Sequence, residues 1–97
     1  MDWRDYGYVI ASNYRVKVVT ALLPHPKTPK QLSSETQIGM THVSRTIREL
    51  AKRELVFCTN PQDLKGRVFS LTNNGREIAE LIEKDDARNP TTSSSSK

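Results

Sequence analysis

Three prolines within six residues, Pro24, Pro26 and Pro29, constrain the fold of this chain more than any other feature. Proline has no amide hydrogen, and its ring pushes the preceding residue out of the helical region. A helix arriving from the N-terminal side must stop by Leu23, and the next one starts at Pro29. His25, caught between two of the prolines, is a solvated loop residue. On the near side, residues 8–23 repeat at a helical period. Ile10, Tyr14, Val18, Ala21 and Leu22 share one broad face, while Asn13, Lys17 and in part Arg15 turn away. On the far side, Thr28-Pro29-Lys30-Gln31 is a helix start. Thr28 caps, Pro29 takes the first position, where a missing donor costs nothing, and Gln31 completes a capping box.

The second helix is short, burying Leu32 and, beyond it, Ile38; Gly39 supplies the left-handed backbone that ends it. Thr41 restarts helix, its hydroxyl satisfying free amides. Over residues 41–55, Val43, Ile47, Leu50 and Ala51 form one apolar stripe. Thr41, Arg45, Arg48 and Lys52 fall opposite it, with His42 and Glu49 at the edge. The pattern then changes to period two. Residues 56–59 and 67–72 read as strands, and the second points Phe69 and Leu71 inward. The loop 60–66 between them carries Lys65, next to Gly66 and Arg67, so the hairpin tip is basic. Thr72 caps a last helix over residues 73–84 that buries Ile78, Leu81 and Ile82, with Gly75 allowing close packing in its first turn. From residue 85 the sequence turns polar and serine-rich and is expected to be a disordered tail, 85–97. Residues 1–7 show no period, and their aromatics, Trp3 and Tyr6, suit an ordered contact.

The bulk properties narrow the classes. At 97 residues, 35% hydrophobic and 27% charged, the chain is one small domain, 1–84, with the tail attached. Its formal charge of +4 favours a polyanion as partner without requiring one. The single cysteine excludes an internal disulfide and a cysteine-based zinc site. Cys58 reads as a small buried apolar residue in a strand rather than a redox sensor. No apolar run approaches the ~18 residues of a membrane span, and there is no signal-peptide core, so a soluble cytoplasmic protein is expected. No glycine-rich phosphate loop, cysteine–histidine pair or apolar carboxylate pair is present, so the chain is not expected to be an enzyme or to hold a cofactor or metal.

A capped short helix, a glycine turn, and then a helix with a basic outer face is the helix-turn-helix pattern for entering a DNA major groove. The whole order goes further. With Tyr14-Arg15-Val16-Lys17-Val18-Val19, Thr28-Pro29-Lys30-Gln31-Leu32-Ser33, His42-Val43-Ser44-Arg45-Thr46-Ile47-Arg48-Glu49-Leu50 and Gly66-Arg67-Val68-Phe69-Ser70-Leu71-Thr72-Asn73-Asn74-Gly75, residues 8–82 resemble winged-helix transcriptional regulators of the MarR/ArsR-like kind. The likeness is to the small single-domain forms frequent in archaea. It implies an α+β winged helix-turn-helix: a three-helix core, a two-stranded β-hairpin wing and a C-terminal helix. It also implies double-stranded DNA as partner, with the helix from Thr41 in the major groove and the loop 60–66 on the backbone or minor groove.

The residue chemistry agrees. Thr41 and Ser44, near a helix N-terminus, suit a phosphate. His42 and Arg45 suit base edges, Arg48 and Lys52 phosphates further along, and Lys65 and Arg67 the backbone or a narrow minor groove. The plainer readings are Ser44 as a small residue at a helix contact, Arg45 paired with Glu49, and Arg67 as a strand-edge cation. The chain is too short for the extra helices of the larger relatives, and no effector can be assigned. A homodimer is expected, with Trp3, Tyr6, Leu81 and Ile82 as contact candidates. The rival reading is a winged helix used as a protein-interaction module in a transcription or chromatin assembly.

Overall fold

Asp2 opens the first helix by accepting a hydrogen bond from the Arg4 amide at 2.9 Å, and α1 then spans Trp3–Ile10. The computed structural model describes residues 1–63 and 65–88. Where residues 8–23 read as one helix, the structure has two. Ser12 leaves the helical region and its hydroxyl accepts from the Arg15 amide at 3.4 Å, starting α2 at Asn13–Leu22. The physical reason lies in the pair Ser12-Asn13, whose side chains compete for backbone amides and favour a cap over a helix interior. The break re-phases the apolar face: Val9 is buried, whereas Ile10 (48% exposed) and Tyr14 (42%) turn outward.

After the prolines, α3 covers Pro29–Thr36 with the expected capping box: the Gln31 amide donates to Thr28 Oγ1 (3.1 Å) and the Thr28 amide to Gln31 Oε1 (2.8 Å). The end of α3 differs from expectation. Gln37, not Gly39, adopts the left-handed backbone (φ 64°), and its side chain donates to the Ser34 carbonyl. Gly39 is extended instead and precedes α4, Met40–Lys52, without a side-chain cap, so Thr41 lies inside the first turn. Along α4 the buried positions are Val43, Thr46, Ile47 and Leu50, while Ala51 is exposed rather than in the stripe. Glu54 (φ 60°) makes the turn out of the helix. The Leu55 amide reaches back to the Leu50 carbonyl at 2.9 Å.

Strands β1 (Val56–Cys58) and β2 (Phe69–Leu71) pair antiparallel, with Phe57 opposite Ser70. Both are shorter than the sequence suggests because Asn60 interrupts the ladder, its Oδ1 accepting from the Val68 amide at 2.7 Å. Cys58 is half-buried rather than buried, with its thiol 3.6 Å from the same oxygen. On the other edge of β2, Phe69 exchanges two backbone hydrogen bonds with Lys27 (3.0 and 2.8 Å), giving the hairpin a third partner in the α2–α3 connector. Lys27 is only 3% exposed. Its ammonium donates to the Ala21 carbonyl and lies 3.3 Å from Glu35, so this buried cation has both a carbonyl and a carboxylate to answer it.

The last helix, α5, spans Asn73–Arg88, with Thr72 Oγ1 accepting from the Gly75 amide at 3.1 Å. It runs four residues past the expected end, so residues 85–88 are helical and not tail. Asp85 is held from across the fold, accepting from the Tyr6 hydroxyl at 3.1 Å. Burial, and then that carboxylate, push the Tyr6 phenol up from its ordinary value. The rest of the expected tail, 89–97, lies outside the described residues. The core gathers Val18, Val19 and Leu22 of α2 with Leu32, Leu50, Leu55 and Ile78, and α2 packs against every other helix. Among the described residues no helix is long and apolar enough to cross a membrane.

Candidate nucleic-acid interface

Burying Val43, Ile47 and Leu50 dictates what α4 shows to solvent: Thr41, His42, Arg45, Arg48 and Lys52 are exposed, and Ser44 is half-exposed. The helix has one acid, Glu49, and it points aside to Arg15 of α2 at 3.3 Å. The expected alternative, Arg45 paired with Glu49, does not form. Among the described residues Arg45, Arg48 and Lys52 have no carboxylate partner, unlike Arg15, Lys27 and Arg53. The positive charge of α4 is therefore left facing outward.

The wing is built around Asn60. Besides holding the Val68 amide, its Nδ2 donates to the Gly66 carbonyl at 3.2 Å. Asp63 organises the tip: its carboxylate accepts from the Lys65 amide at 3.2 Å, and its carbonyl from Arg67 Nε at 3.3 Å. Gly66 takes a left-handed backbone (φ 65°) that a side chain would resist. Lys65 and Arg67 are exposed.

Between α4 and the wing lies a groove of about 780 Å³. Ser44 and Arg48 line it from α4, and Gly66 and Arg67 from the wing, over an apolar floor that includes Ile47 and Phe69. The structure thus brings Ser44, Arg48 and Arg67 to one opening. Thr41, His42, Arg45, Lys52 and Lys65 lie outside its lining. Two residues at this face escaped the sequence reading. Lys30, exposed in the first turn of α3, lines the same groove. Tyr14, expected inside, lies against His42 with ring centroids 4.9 Å apart. The signal for Lys30 was present, since a residue just after an N1 proline stands in the exposed first turn. Nothing local marked Tyr14. No group of three metal-ligating side chains occurs among the described residues.

No protein-family model matches this chain, and no curated protein does. Solved structures match well. A variant of ZitR from Lactococcus lactis superposes with a TM-score of 0.74 at 15% identity, covering 87% of this chain and 58% of that one. NMB1585, a MarR family regulator from Neisseria meningitidis, gives 0.73 at 21% identity, over 81% of this chain and 57% of that one. HlyU from Vibrio cholerae gives 0.69 at 18% identity, over 79% of this chain and 83% of that one. This chain therefore spans less than two thirds of the length of the first two. At such identities the shared property is the fold. Over most of its length the chain has the winged-helix architecture of MarR-family transcriptional regulators.

Proposed function

We propose that this chain binds double-stranded DNA as a transcriptional regulator, with α4 in the major groove and the wing on the backbone or in the minor groove. The supporting observation is the outward face of α4, where three cations stand exposed without carboxylate partners among the described residues while the helix's one acid is paired with Arg15. In this reading His42 and Arg45 meet base edges. Arg48 and Lys52 meet phosphates, and Thr41 and Ser44 present hydroxyls near the positive end of the α4 dipole. Lys65 and Arg67 hold the neighbouring backbone.

Affinity for random duplex DNA against salt tests it. If Arg48, Lys52, Lys65 and Arg67 each neutralise a phosphate, log K falls with log salt at a slope of about −3.6 per chain. Lys65→Ala lowers specific and non-specific binding alike and reduces that slope by about one. A chain that binds no duplex at low salt, or binds independently of salt, removes the proposal.

One α4 covers few base pairs, so the regulator acts as a homodimer in this proposal. Trp3, 66% exposed with its ring edge-on to Tyr6, and the half-buried Leu81 are the contact candidates that still reach solvent. Tyr6 and Ile82 are already engaged within the chain. Sedimentation at tens of micromolar is expected to show a dimer that Trp3→Ala weakens; a wild-type monomer there sinks the dimer and leaves DNA binding intact.

A further inference from the structure

The core side of α4 is held by apolar contacts, which fix its distance from the domain centre. Along one edge α4 is also tied by a different set of bonds. Arg53 at the C-cap of α4 lies 3.2 Å from Asp5 of α1, and its guanidinium sits 4.1 Å from the centre of the Tyr8 ring. Arg15 of α2 lies 3.7 Å from the same ring centre and donates to the Tyr8 carbonyl at 2.8 Å. Its Nε then reaches Glu49 of α4 at 3.3 Å. At the other end of α4, Tyr14 meets His42.

We propose that α1 is a positioning element for the recognition helix, acting through this clasp of Asp5, Tyr8, Arg15, Glu49 and Arg53. The inference rests on the DNA-binding reading above. Arg45, Glu49 and Arg53 stand four residues apart, neighbours along one ridge of α4. Two of the three are tied to α1 and α2, and the third, exposed Arg45, meets base edges in the proposed complex. A roll of about 10° moves a point at the ~6 Å side-chain radius by about 1 Å. A recognition constellation tolerates only about half of that. Partly exposed ion pairs add little to folding stability, so the clasp matters more for where α4 sits than for whether it forms.

The sign of a charge effect separates positioning from electrostatics. Asp5→Asn and Glu49→Gln each remove a negative charge from a chain of net charge +4, so charge alone makes either variant bind a polyanion more tightly. Positioning predicts the opposite for the preferred site. On a duplex selected from a random pool by the wild-type chain, each variant binds roughly fivefold more weakly. On random duplex each binds as well as the wild type or better. Tyr8→Leu behaves like the two acid variants, while Tyr8→Phe, which keeps the ring, restores wild-type discrimination.

Hydrogen exchange without DNA supplies the readout that is independent of function. Asp5→Asn is expected to speed exchange in the last turn of α4 at a nearly unchanged melting temperature. Selected-site binding that is unchanged or tighter in Asp5→Asn and Glu49→Gln, with exchange also unchanged, overturns the clasp. A wild-type chain that binds no duplex overturns the DNA reading instead, and the exchange result still decides whether α1 holds α4.

Discussion

Gly75→Ala is expected to lower the melting temperature by about 4–24 °C, the fall that corresponds to roughly 1–3 kcal/mol in a domain of this size. A Cβ at this position would stand 2.1 Å from the Leu55 carbonyl oxygen and 3.2 Å from Leu71 Cδ2. No rotamer change relieves a clash with backbone, so the first turn of α5 must move away from the start of β1. That movement strains the bonds joining the two, Thr72 amide to Leu55 carbonyl (3.0 Å) and Thr72 Oγ1 to Glu54 carbonyl (2.7 Å), and with them the cap from the Gly75 amide to Thr72 Oγ1 (3.1 Å). Overpacking costs about 1–3 kcal/mol and a lost cap about 1. The helix-propensity gain of alanine, about 1 kcal/mol, opposes them without cancelling them. Gly7→Ala is the control. Nothing lies within 4 Å of its added Cβ, so only the propensity gain operates and thermal melting should shift slightly upward. Equal melting temperatures for Gly75→Ala and the wild type would refute the close approach.

Arg45→Ala combined with Arg48→Ala is expected to cut discrimination between a selected site and random duplex by roughly 5- to 150-fold while leaving the fold intact. A bidentate arginine on guanine contributes about 1–3 kcal/mol to discrimination, or roughly 5- to 150-fold in affinity. Arg45 carries that share in the proposed complex, so Arg45→Ala alone weakens specific binding more than non-specific. Arg48→Ala adds a uniform loss and a shallower salt dependence. Neither residue is buried or paired with a carboxylate among the described residues, so the stability change stays within about 0.5 kcal/mol. Competition binding with selected and random duplexes, alongside thermal melts, reads both quantities. Undiminished discrimination in the double variant would place recognition elsewhere.

The features legible in the sequence are those written within four or five residues. The Thr28–Gln31 capping box, the Thr72 cap and the tight fit at Gly75 follow from local backbone chemistry, and the structure contains all three. The alternation of exposed and buried residues along α4 was equally readable, apart from Ala51 and the buried Thr46. Errors arose where two local signals competed. Ser12 cuts a helix that the apolar spacing carries through, and Gln37 takes the left-handed position expected of Gly39. Asn60 shortened both strands by substituting its side chain for a ladder bond. The clasp was beyond reach because its partners are far apart in sequence: Asp5 and Arg53 are separated by 48 residues, Arg15 and Glu49 by 34. Only the folded chain brings them together.

The double hydrogen bond between Lys27 and Phe69 has a consequence for how such a protein meets its target. It ties the loop-side end of the ladder to the same connector from which α3 departs, so the distance from α4 to the base of the loop is set by backbone hydrogen bonds rather than by side chains alone. Any accommodation to a wider or narrower duplex must then come from the few residues beyond Thr59 and Val68. In the proposed complex the duplex, and not the domain, absorbs the remaining mismatch.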